Sequence, residues 1–343
     1  MLTFIADFPL QMMSPERFLI AMGAVVFVSV VGVVTGPQYG NANPLYWQFS
    51  DKVLGGLGAR LDRPHRKGPD LTLRGFVLCL FGVALAAAVF LLSGGLAAHM
   101  PLYGLTETLL LSLTMTAGTV WFALLRLYFA LKGRKAGTGE YYAIARSAGV
   151  NLAVSDDYGI TRTGMALAAR RFDKGCVAPV VWYLIAGLPG AMIYAALAAL
   201  AARFGRDGFC KGFGRVPLAL EKLLGFVPSA LAGLLISLAG LLTPTGGMTR
   251  ALVALLHGKN RAPYAEGGLP LTAMAYVLAV NLGGPVQSLD GYTLKRVWVG
   301  PPGATAQLSA GHLRRALYLS LMAHLLLVFA LIGGMLWAGH FSA

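Results

Sequence analysis

The sequence predicts an all-α integral membrane protein, and three observations carry that reading. Of its 343 residues, 57% are hydrophobic and 12% are charged, with a mean hydropathy of +0.67; soluble domains carry about 25% charged residues. Several apolar runs approach or exceed the length of about 20 residues that crosses roughly 30 Å of hydrocarbon. The basic residues of a chain with net charge +14 gather between those runs, as they do in cytoplasmic loops beside anionic lipid. Basicity is thereby a matter of topology, with the lipid bilayer as partner and no nucleic acid. The expectation is four transmembrane helices, at about 18–35, 73–96, 105–131 and 316–337, within a single domain 1–343. One or two broken or re-entrant apolar segments, within 176–202 and 223–243, and cytoplasmic amphipathic helices complete it.

Residues 1–17 read as a short amphipathic lead ending in Ser14-Pro15-Glu16, a helix start. With Asp7 and no basic region before the apolar stretch, it lacks the pattern of a cleaved signal peptide. The first span runs from Phe18 to Thr35 and stops at Gly36-Pro37. Val53, Leu54, Leu57 and Leu61 recur at helical spacing after Trp47, beside a cluster of Arg60, Arg63, His65, Arg66 and Lys67, which fits a helix lying at the membrane interface. Two spans follow, separated by a neutral turn at Ala97 to Gly104. Residues 132–174 read as a long basic loop whose 162–171 part is helix-capable, turning at Phe172-Asp173-Lys174-Gly175. The positive-inside rule places both basic loops in the cytoplasm and the N-terminus outside.

The segment from Cys176 to Ala202 is long enough to span, yet basic residues flank both of its ends. Leu188-Pro189-Gly190 interrupts it, and Pro removes a backbone donor and clashes with the preceding turn. Two half-helices that enter and return keep both flanks on one side, and this hairpin is preferred to a straight crossing. Beyond the apolar run from Leu223 to Thr243, Met248 to His257 reads as a short amphipathic helix. Pro270 to Gly284 is too short to span, residues 285–311 are rich in Gly and Pro, and Ala316 to Trp337 is the last span.

Candidate chemistry is sparse. No phosphate-loop fingerprint is present, and the six histidines show no ligand spacing, so no metal site is expected. His324, inside the last span, is either functional or hydrogen-bonded to a neighbouring helix. Cys79, Cys176 and Cys210 read as packing residues. Asp156-Asp157 suit either Mg²⁺ or a helix cap. Arg162, Arg170 and Arg171 suit either an anionic ligand or topology and lipid. Catalytic residues are not identifiable. A surviving ligand site is expected at the cytoplasmic face near Asp156, Asp157, Arg162, Asp173, Tyr194 and Arg206.

Asp173-Lys174-Gly175-Cys176-Val177-Ala178-Pro179-Val180-Val181-Trp182 is similar to a stretch S-D-G-V-V-A-P-x-x-W, and Gly187 to Tyr194 to G-x-P-G-A-x-x-Y. Leu220 to Leu231 is similar to L-D-D-x-L-N-Y-I-P-A-R-L, and Gly268 to Pro285 to a segment ending in L-G-G-P. Together with Asn43-Pro44-Leu45 and the following helix, in that order, these pieces resemble the CobD/CbiB family of membrane proteins in cobalamin biosynthesis, from about Asn43 to the last span. The resemblance implies a bacterial inner-membrane protein. It also implies an ATP-dependent ligase that joins an aminoalcohol, usually as its phosphate, to adenosylcobyric acid, with corrinoid, ATP and Mg²⁺ if that activity is retained.

The departures fall on polar positions. The family's two glutamates are Ala166 and Arg170 here, its adjacent Asn is Arg171, and the Asp of its D-G is Lys174. A polar run after the shared tyrosine becomes Ala195 to Ala201, the second acid of L-D-D is Lys222, the Glu of a P-E becomes Leu271, and an Arg before L-G-G is Asn281. Amide formation with ATP needs carboxylates to hold Mg²⁺ and cations to hold phosphates, and removing one such group typically costs orders of magnitude in rate. The favoured reading is a non-catalytic relative serving as an accessory or structural subunit, in complex with a membrane protein partner, or as a binder. An active synthase comes second. A transporter comes third, because buried charge in the spans is nearly absent and no inverted repeat is visible.

Overall fold

The structure is a computed structural model that describes residues 14–63, 65–97, 103–133, 141–206, 208–210, 212–244, 246–257, 260–289 and 291–342. The N-terminal lead up to residue 13 and most of the turn after Ala97 lie outside the described residues. Helices α1 (Pro15–Thr35), α2 (Leu45–Leu61), α3 (Gly68–Ala97), α4 (Tyr103–Leu113), α5 (Gly118–Lys132) and α6 (Tyr142–Ala148) lead to a short strand, β1 (Val150–Asn151). Then come α7 (Asp157–Phe172), α8 (Ala178–Phe204), α9 (Gly212–Ala239), α10 (Met248–His257), α11 (Gly268–Leu278), β2 (Val286–Ser288), β3 (Thr293–Leu294) and α12 (Ala310–Ser342). By length and composition five helical stretches are able to cross a membrane, or six when the bent α4–α5 pair counts as one. The all-α membrane class follows directly.

On α1 and α8, small residues line the inward faces. On α1, Ala21, Ala24 and Val25 are buried while Val26, Phe27, Val30 and Val34 are exposed, and on α8 the whole run Ala195 to Ala201 is buried. Between helices in lipid, small side chains let backbones approach and gain van der Waals contact. Ser14 and Pro15 open α1, and the left-handed Gly36 closes it.

The stretch expected as one helix at 105–131 is broken. α4 and α5 meet at 45° across Thr114 to Ala117, because that segment is drawn into other bonds. Thr116 N–H donates to Gly175 O at 2.7 Å, and Thr116 Oγ1 to Ala42 O at 2.8 Å. Much of the expected loop 132–174 is helix as well. α7 buries every residue from Gly159 to Ala169 except Arg162, and the expected turn at 172–175 is a continuous π-helical segment, Asp173–Val177. The many Ala and Gly residues of α7 make it an interior helix, although its Arg and Asp residues gave it the look of a solvated loop.

The chain reverses within the segment expected to form a hairpin. Lys174 and Tyr194, twenty positions apart, would stand about 30 Å apart on a straight helix, yet both hydrogen-bond the carboxylate of Glu221. The chain reverses at Gly187, whose φ of 67° and ψ of −163° are open to glycine and strained for any residue with a Cβ. Pro189 then starts the returning half without needing a donor. The tip is tied to the start of α1, where Arg17 Nη1 donates to Leu184 O at 3.2 Å.

The Gly/Pro-rich segment after α11 folds into a small antiparallel sheet in the order β1-β2-β3, with Val150 opposite Ser288 and Gln287 opposite Thr293. This sheet sets the β2–β3 hairpin beside the far end of α8. The reversal makes a direct prediction. Cysteines introduced at Tyr158 and at Phe209, both exposed, in a background without the native cysteines, should react with a membrane-impermeant maleimide from the same side. Labelling from opposite sides would rule the hairpin out.

Candidate functional site

Two features at the base of the hairpin are able to do chemistry. The first is a buried charged centre on Glu221, which is 0% exposed on α9. Lys174 Nζ donates to Glu221 Oε2 at 2.8 Å, Tyr194 Oη to Oε1 at 3.0 Å, and Tyr264 Oη to Oε1 at 2.7 Å. Lys174 also lies over the Tyr264 ring, 4.4 Å from its centroid. Asp173, 1% exposed, sits beside Lys174 with its Oδ1 unpaired. Burial and the adjacent Glu221 charge push the Tyr264 hydroxyl far above its ordinary value, so it remains a donor. Each element contributes one part: the π segment aims Lys174, the returning half of the hairpin brings Tyr194, and the loop before α11 brings Tyr264.

This donor set does not fit a divalent cation. Mg²⁺ takes near-octahedral oxygen ligands and relies on one or two carboxylates, but both oxygens of Glu221 are engaged by donors and an ammonium occupies the adjoining position. Among the described residues, no group of three or more His, Cys, Asp or Glu side chains converges as a metal site would require.

The second feature is an open cavity of about 1090 Å³ between α2, the loop before it, α6, the end of α8 and the β2–β3 hairpin. Trp47, Ser147, Arg146, Arg203, Arg206 and Tyr292 are among its walls. Behind Trp47 and Ser147 lies Arg171, 6% exposed, with its guanidinium 4.7 Å from the Trp47 ring centroid and Nη2 donating to Ser147 O at 2.7 Å.

The six expected site residues divide among three places. Asp156 caps α7, its Oδ1 accepting from Gly159 N at 2.7 Å, and Asp157 opens the same helix. Arg162 ties α7 to the C-terminal loop through Ala306 O at 2.8 Å and stacks on Trp298. Asp173 and Tyr194 join the Glu221 centre, and Arg206 lines the cavity. Sequence reasoning missed Glu221, Lys174 and Tyr264 as partners. A lone acid in the apolar run around Leu220 to Leu231 was a usable signal, since an ionisable residue in a span is functional by default. Tyr264 offered no signal, because its role depends on a contact 43 positions away in the chain. The expectation that the spans hold almost no buried charge is corrected by the same centre. His324 is buried between the rings of Trp121 and Phe172, its Nδ1 2.7 Å from Ser320 O.

The fold and these two features define a multi-pass membrane protein with an internally paired charged centre and a cationic cavity at one end of its bundle. The chain belongs to the CobD/CbiB family: the family profile described as CobD/Cbib protein matches residues 44–320. A cobalamin biosynthesis protein CobD of Rhodobacter capsulatus is 31% identical over 204 residues, 58% of this chain and 62% of that protein. The chain thus spans less than two thirds of that relative. A protein of the same name from a Sinorhizobium species is 29% identical over 262 residues, covering 74% of this chain and 79% of the relative. A probable cobalamin biosynthesis protein CobD of Pyrococcus abyssi is 41% identical over 68 residues, 20% of this chain and 23% of that protein. No solved structure matches the chain.

The geometry predicts a steep asymmetry at Glu221. Glu221→Gln leaves Lys174 buried without its counter-charge, and losing one partner of a buried pair costs about 3–5 kcal/mol. Adding Lys174→Met should recover most of that loss. Chemical unfolding in detergent measures both; equal losses in the single and double variants would show that the pair is not coupled.

Proposed function

We propose that this chain is a divergent, non-catalytic member of the CobD/CbiB family that acts in the bacterial inner membrane as a binder or accessory subunit, with its basic loops in the cytoplasm. The observation that carries the reading is the 2.8 Å ion pair between Lys174 and Glu221. The first acid of the resembling L-D-D motif is kept as Glu221, while the acid of the D-G motif has become the lysine that neutralises it. A centre that would present carboxylates to Mg²⁺ instead carries its own tethered cation.

Neighbouring positions support the same reading. Ala166, Arg170 and Lys174 follow one another at four-residue spacing, so they share a face of the helix. The resemblance implies acids at all three. Here Arg170 donates through Nε to Glu266 O at 2.8 Å, a packing tie to the loop that carries Tyr264. Lys222, at the second acid of L-D-D, turns away and lies over the exposed Phe209 ring at 5.4 Å. With acids replaced and their partners absorbed into internal bonds, the family's ligation has no metal-holding group left among these positions. The open cavity suits binding without turnover.

Purification in mild detergent, with mass spectrometry for bound proteins and absorbance for a corrinoid, tests the reading. The expected result is a stoichiometric membrane protein partner or a bound ligand, and no amide formation when ATP, Mg²⁺, an aminoalcohol phosphate and adenosylcobyric acid are supplied. Amide product above the background without protein would overturn the non-catalytic reading in favour of an active adenosylcobinamide-phosphate synthase.

A further inference from the structure

The charged centre at the base of the hairpin holds two acids and one cation. Glu221 takes the cation for itself: Lys174 Nζ donates to its Oε2 at 2.8 Å, and the hydroxyls of Tyr194 and Tyr264 donate to its Oε1 at 3.0 and 2.7 Å. Asp173 is as deeply buried, at 1% exposed, yet its Oδ1 has no hydrogen-bond partner. Arg170 and Arg171, just before it at the end of α7, donate to Glu266 O and Ser147 O instead. Lys174, Glu221 and the two tyrosine hydroxyls are the titratable groups that face it. The Ser229 hydroxyl faces it from α9, and Ser229 Oγ is also buried and unpaired.

The acid lies deep in the bundle. Arg17 stands at the start of the first span and donates to Leu184 O at 3.2 Å. Asp173 is eleven positions before Leu184, about 16 Å along a helix and close to half of the roughly 30 Å of hydrocarbon. An ionisable side chain at such a depth is functional by default. The arrangement is also particular to this chain. The S-D-G stretch that it resembles implies a serine at 173 and the acid at 174; here the acid stands one position earlier and a lysine follows it.

A buried carboxylate with neither donors nor a counter-charge is far costlier than a neutral carboxylic acid. We propose that Asp173 is a proton-binding site within the span. Its carboxyl group is neutral in the folded protein and donates its O–H to Ser229 Oγ, so that one proton satisfies both unpaired atoms. With Lys174 and Glu221 paired, the centre then carries no net charge. The proton comes from water and returns to water when the base of the hairpin opens, because an ionised Asp173 would have to win Lys174 from Glu221. The site is independent of the non-catalytic reading, since it needs neither a corrinoid nor a partner.

Infrared spectroscopy of the full chain in dodecyl maltoside, a detergent without carbonyl groups, tests this through the C=O stretch that a carboxylic acid shows and a carboxylate lacks. At neutral pH the protein should show that band, shifting slowly after transfer to heavy water because the group is buried. Asp173→Asn should remove it. Asp173→Ser, the residue the resemblance implies, should also remove it and serves if the Asn variant does not fold. No carboxylic acid band at neutral pH, or a band that persists undiminished in a folded Asp173 variant, overturns the proposal. Either of those results leaves the ligase assay to decide the non-catalytic reading separately.

Discussion

A single carboxylate with no solvent around it constrains the rest of this structure. Glu221 is fully buried, and an ion in that position is tolerated when its oxygens are filled by donors and its charge is matched. Lys174, Tyr194 and Tyr264 meet those conditions from three separate segments. Filling Glu221 therefore draws the π segment, the returning half of the hairpin and the loop before α11 to one point. The reversal at Gly187, the depth of the hairpin and the placement of α11 all answer to that requirement. Because these bonds are internal, both carboxylate oxygens of Glu221 are engaged within the protein.

The base of the hairpin is organised by a second layer of bonds, most of them to backbone carbonyls. Thr116 bridges Ala42 O and Gly175 O, while Ala42 N–H donates to Ser147 Oγ and Arg171 donates to Ser147 O. These bonds join the start of α2, the break between α4 and α5, α6 and α7 without any ion pair. They explain why the third apolar stretch is bent: Thr116, at its break, bonds to two other segments. They also make the floor of the cavity rigid, with Trp47 held over Arg171.

In the proposed reading family membership and chemistry part ways, and particular residues carry that reading. Glycine, proline and aromatic positions that shape the hairpin are kept, including Gly187, Pro189, Trp182 and Tyr194. Where the resemblance implies acids, this chain carries Ala166, Arg170 and Lys174. The arginines and the lysine are built into the packing: Arg170 on Glu266 O, Arg171 on Ser147 O and Lys174 on Glu221. A fold persists as long as its packing and backbone bonds do, while a reaction depends on a few side chains, so the two diverge independently.

Apolar length, glycine and proline punctuation, and the separation of basic loops from apolar runs are local properties. The sequence alone therefore determined the membrane class, the positions of α1, α3, α10 and α12, and the break that allows the hairpin. α7 was misread because charge at its ends masked an alanine-rich interior, and burial is decided by neighbours rather than by composition. The charged centre was only partly legible for the same reason: Tyr194 and Asp173 were expected at a site and Glu221 stood out as a lone acid, but Glu221, Lys174, Tyr194 and Tyr264 have no common spacing. Only the tertiary structure decided that they meet, because a buried carboxylate must find its donors wherever the chain can supply them.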